Sequence, residues 1–178
     1  VHPIDKKNRR VEGLMHIVHE TQSPMIIWSR FKPEIAAICA ALREKYGPDC
    51  VVEYHGGTSQ EEREIAKQRF QGEIHHVDAR TGEHTVEIVP ENERARFFVG
   101  NAAAGGRGLT LTRAQYVVYY SNSFSLSHRL QSEDRAHRIG QTENVTYVAI
   151  EAENTIDNHI KKVLLDKETI SDIVLGDL

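Results

Sequence analysis

Gln131, Asp134, Arg135 and Arg138, in the run QSEDRAHRIGQ (131–141), stand at spacings that place them on one stripe if the run is helical. Most charged stripes are solvated surface. The chemical alternative is a phosphate clamp, because a guanidinium stays charged and presents a planar fork to phosphate oxygens. A second candidate is the loop AAAGGRGLTL (102–111). Its glycines, Gly105, Gly106 and Gly108, let backbone amides approach an anion closely. Arg107 adds charge and Thr110 a hydroxyl. The third is GGTSQEER (56–63), a Gly-Gly turn entering a helix N-terminus, where free amides and a partial positive charge favour phosphate. Taken singly, the second and third motifs also read as an ordinary loop and an ordinary capped turn.

The elements that position these residues follow from periodicity. Val11, Leu14, Met15 and Val18 predict a helix over 9–20. PMIIW (24–28) predicts a buried strand. Ile35, Ile38, Cys39 and Leu42 predict a helix that Pro33 opens and Gly47 with Pro48 closes. VVEYH (51–55) predicts a strand. Ser59 and Glu62 match a capping box and start a helix near Gln60. Two β-rich arms around ARTGEH predict a β-hairpin over 74–89. Strands follow at 97–101, 116–121 and 145–151, with a helix over 126–138 between the last two. Ile156, Ile160, Val163 and Leu164 predict a closing helix, and Ile170, Ile173 and Val174 a second one. Alternating strands and helices mean crossover units and a parallel sheet flanked by helices. Ligands on such sheets bind beyond the carboxyl ends of the strands, where the three candidate motifs or their loops lie.

Bulk properties narrow the classes. At 178 residues, 39% hydrophobic and 27% charged, the chain reads as one globular domain with a sizeable core. A formal net charge of -4 excludes a general polyanion binder, so any nucleic-acid contact comes from a local patch. Cys39 and Cys50 form neither a disulfide framework nor a zinc pattern, which fits an intracellular, reducing compartment, cytoplasmic or nuclear. No run of about 18 apolar residues is present, so no membrane contact is expected. The chain begins at Val1 rather than methionine, which points to a fragment or a processed chain.

In order, PMIIWSRF, YHGGTSQEEREIAKQRF, GNAAAGGRGLTL and QSEDRAHRIGQ resemble the second RecA-like lobe of superfamily-two helicases, with the Swi/Snf-like translocases nearest. The last motif of that family, Q-x-x-D-R-x-H-R-x-G-Q, stands complete here as Gln131, Asp134, Arg135, His137, Arg138, Gly140 and Gln141. The resemblance spans about residues 24–151. It implies a helicase C-terminal domain over 1–178, with the first motor lobe absent from this chain.

On that resemblance, Arg135 and Arg138 are the arginine fingers that reach ATP across the interlobe cleft. Asp134 orients a guanidinium, and Gln131 meets the nucleotide or the opposite lobe. Gly108 and Thr110 face the nucleotide sugar and the cleft. Ser29, Arg30, Gly56, Gly57, Thr58, Ala103, Ala104, Gly105 and Gly106 are implied at the backbone of the nucleic acid, DNA first and RNA second. Backbone contacts carry little sequence information, so binding without sequence preference is expected. ATP and Mg2+ would be held mainly by the N-terminal RecA-like lobe, because this chain has neither a Walker A lysine motif nor an acidic Walker B motif. Alone, it is expected to hydrolyse no ATP. His137 reads as a packing or capping residue, and Trp28 as a core residue.

Two features depart from the family pattern. Residues 71–96 separate QRF from the next strand, where a Swi/Snf-like lobe runs on almost directly. The usual D-x-x-WNP is here YSNSFSLS, which argues against chromatin remodelling and leaves simpler viral or bacterial translocases equally suited. His75, His76 and His84 in the hairpin lack the cysteine or carboxylate that would complete a metal site, and metal is not expected. The rival readings are a non-catalytic RecA-like module binding nucleic acid or protein, and an unrelated α/β enzyme holding a small phosphorylated ligand on its Gly-rich loop.

Overall fold

The computed structural model describes residues 8–104, 109–138 and 140–176, with side chains as far as residue 169. Helix α1 (Arg9–Glu20) leads into β1 (Met25–Trp28), α2 (Lys32–Tyr46), β2 (Val51–Tyr54) and α3 (Gln60–Gln71). A hairpin of β3 (Glu73–Val77) and β4 (His84–Ile88) follows, then β5 (Phe97–Gly100), β6 (Tyr116–Tyr119), α4 (Leu126–Glu133), β7 (Thr146–Ala149) and α5 (Ile156–Gly176). Five strands form one parallel sheet in the order β2-β5-β1-β6-β7.

The central strands β1 and β5 are buried at every position and are covered on both faces, as in parallel sheets generally. Met25 and Ile27 point to one side, with Phe97, Val99, Val118 and Tyr120. There Leu14 and Val18 of α1 and Ile35, Ile38, Cys39 and Leu42 of α2 cover them. Ile26 and Trp28 point to the other side, where Phe98 meets the rings of Trp28, Tyr54 and Phe70 at 5.9, 5.3 and 5.5 Å. Ala66 and Phe70 of α3 close that face together with Leu109, Leu111, Ala114 and Ala136 from two loops. Trp28 is a core residue, as its position in an apolar run predicts.

Gly100 ends β5 where the neighbouring backbone comes close. A Cβ there would lie 2.5 Å from the Tyr54 carbonyl oxygen, so no other residue fits without moving β2. The capping box of α3 forms as predicted: Ser59 Oγ accepts from the Glu62 amide, and the Glu62 carboxylate accepts from the Ser59 amide. At the other end of α3, Gly72 takes the left-handed conformation with φ 80° that terminates helices.

The predicted hairpin is present and is antiparallel. Its turn is built by Asp78, whose carboxylate accepts from the amides of Arg80 and Thr81. These two bonds hold the carboxyl below its usual range. Both hairpin strands stay largely exposed.

Two expectations fail. The helix over 126–138 stops at Glu133. Instead the chain turns, and the Arg135 carbonyl accepts from the amide of Leu111 at 2.8 Å. The predicted closing pair of helices is one helix, α5, whose start is held by an ion pair between Arg10 of α1 and Asp157. Among the described residues no helix is long and apolar enough to cross a membrane.

Candidate functional site

The carboxyl ends of β1, β5 and β6 open into a cavity of about 620 Å³. Ser29 and Arg30 line it after β1, Asn101 to Ala103 after β5, and Ser121 to Ser125 after β6; Arg129 of α4 and Lys167 of α5 form the far wall. Arg30 is exposed at its rim, with its guanidinium 5.2 Å from the Phe31 ring centroid. Arg129 is fixed more firmly. It pairs with Glu133 at 2.5 Å and lies flat on Tyr119, 3.5 Å from the ring centroid.

Ser29, expected at a nucleic-acid backbone, is buried and structural. Its hydroxyl donates to Glu34 at 2.6 Å, and Ser121 donates to the same carboxylate at 2.6 Å. The Ser121 hydroxyl in turn accepts from the Arg30 amide. Glu34 thus ties the end of β1 to the end of β6 and sets where Arg30 leaves the sheet. Asn101 ties β5 into the same rim, donating to the Arg30 carbonyl at 2.8 Å and accepting from the Ala103 amide at 2.9 Å. Glu34 and Asn101 carry no motif signal; their roles need contacts between strands far apart in sequence. Ala103 is exposed and Ala104 half-buried. Gly105, Gly106 and Gly108 lie outside the described residues.

The turn at Gly56, Gly57 and Thr58 also differs from its expected chemistry. The amides of Gly57, Thr58 and Ser59 are already engaged within the turn. Gly57 N–H donates to His55 Nδ1 at 3.0 Å, Thr58 N–H to the His55 carbonyl, and Ser59 N–H to Glu62. His55 spends these donors locally, which a motif reading cannot anticipate. The positive charge near the turn belongs to side chains. Lys32 Nζ lies 2.9 Å from where a Cβ on Gly57 would stand, and Arg63 donates to the His55 carbonyl at 3.0 Å.

The four residues of the predicted stripe separate, because α4 ends at Glu133, between Gln131 and the other three. Gln131 is exposed, its amide donating to Ser127, and Asp134 is exposed at the helix end. Arg138 is exposed and donates to Thr110 Oγ1 at 3.1 Å. Arg135 turns inward and is only 5% exposed. Its guanidinium lies 5.8 Å from the Trp28 ring centroid and donates to the Ala102 carbonyl. Burial pulls its pKa down from the usual arginine value, since a desolvated cation loses hydration. His137 is exposed, which does not suit a core-packing role.

Two surfaces result. One is the cation-rimmed cavity at the strand ends. The other is the pair Thr110–Arg138 on the α3 side of the sheet. Arg135 stands between them, rooted in the second and touching Trp28 and Ala102 of the first. Both present cations and hydroxyls, which suits phosphate. Among the described residues no group of three or more His, Cys, Asp or Glu converges to hold a metal. His75 stacks on His84, with centroids 5.2 Å apart, and its Nε2 lies 3.3 Å from the Glu73 carboxylate.

The fold and these motifs recur in known proteins. The helicase conserved C-terminal domain family matches residues 6–140. The chain is 39% identical over 79 residues to the chromatin-remodeling ATPase INO80 of Mycosarcoma maydis, covering 44% of this chain and 4% of that protein. It is 34% identical over 107 residues to the INO80 of Sclerotinia sclerotiorum, covering 60% of this chain and 6% of that one. The chain therefore spans a small fraction of the length of these relatives. In structure it is similar to the C-terminal part of the Fun30 ATPase domain, with a TM-score of 0.69 and 21% identity over 87% of this chain and 44% of that one. The chain belongs to the helicase conserved C-terminal domain family.

Proposed function

We propose that this lobe is half of an ATP-dependent motor that moves along nucleic acid. In the complete protein, nucleotide bound by an N-terminal RecA-like lobe would meet Arg138 and Arg135. Charge spreads over the γ-phosphate oxygens in phosphoryl transfer, and a guanidinium placed against them stabilises that charge. The observation that carries this reading is the exposed Arg138 guanidinium, held by the Thr110 hydroxyl at 3.1 Å rather than by a carboxylate. A guanidinium held by a neutral hydroxyl keeps its charge and most of its donors for an anion. Arg135 acts closer to the sheet, where low dielectric strengthens its attraction for phosphate. Gln131 and Asp134, both exposed at the end of α4, border the same approach.

ATP fits this donor set as a substrate shared between lobes. Mg2+ is assigned mainly to the N-terminal lobe, because this chain has neither a Walker A lysine motif nor an acidic Walker B motif. For the same reason the isolated chain hydrolyses no ATP.

The nucleic acid would lie along the strand ends. Arg30 and Lys32 supply charge there, and Ala103 and the turn at Gly56 to Thr58 allow close approach. Ser29 acts from beneath by holding this rim. The curated relatives are chromatin-remodeling ATPases, which favours DNA over RNA and an intracellular, nuclear setting. Binding of the isolated chain to short DNA duplexes tests the track. We expect equal affinity for unrelated sequences, weakening with salt. Arg30→Ala should reduce it severalfold and Arg138→Ala leave it unchanged. Binding that depends on Arg138 and ignores Arg30 would contradict the assignment.

A further inference from the structure

Residues 109–114 form a strap between the arginine segment and the base of the hairpin. At one end Thr110 Oγ1 accepts from Arg138, and the Leu111 amide donates to the Arg135 carbonyl. At the other end Gln71, the last residue of α3, grips the strap with both ends of its side-chain amide. Its Nε2 donates to Thr112 Oγ1 and its Oε1 accepts from the Arg113 amide, each at 3.1 Å. Arg113 returns the contact. Its Nη1 donates to the carbonyls of Phe70 at 2.6 Å and Ala95 at 2.8 Å, the two residues flanking the hairpin.

These bonds do more than satisfy polar groups. A side-chain amide that bonds two consecutive residues fixes the register of the strap, because a slip of one residue breaks both bonds. Thr110 lies two residues before Thr112, so its hydroxyl, and the guanidinium that it holds, follow the position of the strap. The hairpin root is fixed to the same place: Val89 donates to the Gly72 carbonyl and Ala95 to the Arg69 carbonyl.

Resting on the function proposed above, we infer that Gln71 and Arg113 are positioning residues for Arg138. They transmit the placement of the hairpin base to the guanidinium that meets the nucleotide. Neither residue touches substrate. Misplacing a transition-state contact by about 1 Å can cost on the order of a hundredfold in rate, so loss of one brace should be felt in turnover rather than in binding.

The test is a double-mutant cycle in the full-length parent protein, read by single-turnover, nucleic-acid-stimulated ATP hydrolysis. Gln71→Ala should slow hydrolysis about tenfold and leave half-saturation by DNA unchanged. In an Arg138→Ala background the same substitution should add less than twofold, because the guanidinium that it positions is gone. Thr112→Val removes the same side-chain bond at nearly constant volume and should repeat the pattern if Gln71→Ala impairs folding. Equal slowing in both backgrounds, or no slowing of the wild type, overturns the inference. If Arg138→Ala alone leaves hydrolysis intact, the inference falls with the functional reading itself, and that single arm identifies the cause.

Discussion

The five-stranded sheet and the β3–β4 hairpin are made of strands of similar length held by opposite means. In the sheet, β1 and β5 are buried at every position and covered on both faces. In the hairpin, every residue of β4 is exposed, and Val77, Val86 and Ile88 face solvent from one side of the ribbon. The sheet is specified by packing and the hairpin by its turn and by the cap at Gly72. The loops that present Arg30, Ala103 and Thr110 hang from the first kind of structure and inherit its rigidity. The hairpin is attached through a few backbone bonds and the Gln71–Arg113 brace. Packing can therefore hold a site to within fractions of an ångström, while an insertion beside it changes sequence at little cost.

Substitutions on each side break or sharpen this contrast. Phe98→Ala should lower unfolding free energy by about 3–5 kcal/mol, as loss of a fully buried aromatic does, against under about 0.5 kcal/mol for Val86→Ala on the exposed ribbon. Denaturant midpoints decide it, and similar costs for the two would refute the division. Within the arginine segment the same logic separates neighbours. Truncating buried Arg135 to Ala should cost roughly 1–3 kcal/mol, whereas Arg138→Ala should leave the midpoint within about 0.5 kcal/mol.

The buried Cys39 gives the contrast a pH dependence. Burial pushes its thiol up to about 12. The folded state keeps a proton that the unfolded chain releases near pH 8.5–9, so this contribution is full below that range. It is lost as pH rises towards 12, at up to about 1.4 kcal/mol per pH unit. Denaturant midpoints at pH 8 and pH 10 should differ, and Cys39→Ala should flatten the difference. The smallest effect is expected from excising the hairpin. Replacing residues 74–87 with a short glycine linker should change the midpoint by less than about 1 kcal/mol, because little apolar surface is lost. A large loss would show that the ribbon supports the core after all.

The elements that could be read in advance are those whose cause is local. The apolar runs of β1 and β5, the Ser59–Glu62 capping box and the hairpin around ARTGEH each carry their reason within a few residues. Most of the failures have distant partners. Helix α4 ends at Glu133, where the chain turns and the Arg135 carbonyl meets Leu111. Ser29 leaves the surface because Glu34 and Ser121 claim its hydroxyl. In the Gly56–Thr58 turn, the adjacent His55 accepts from the amides of Gly57 and Thr58. The residue types of the arginine segment were legible, but the difference in depth between Arg135 and Arg138 was not, since it depends on Trp28 and Thr110.

The central claim is that Arg138 stabilises phosphoryl transfer on nucleotide held by another lobe. It is tested most directly by ATP hydrolysis of the full-length parent protein, with and without DNA, for wild type and Arg138→Ala. The account predicts DNA-stimulated turnover that falls by about a thousandfold or more in the variant, the scale of a lost arginine finger, with the denaturant midpoint unchanged. Robust DNA-stimulated turnover in Arg138→Ala would contradict it and leave that guanidinium as ordinary surface.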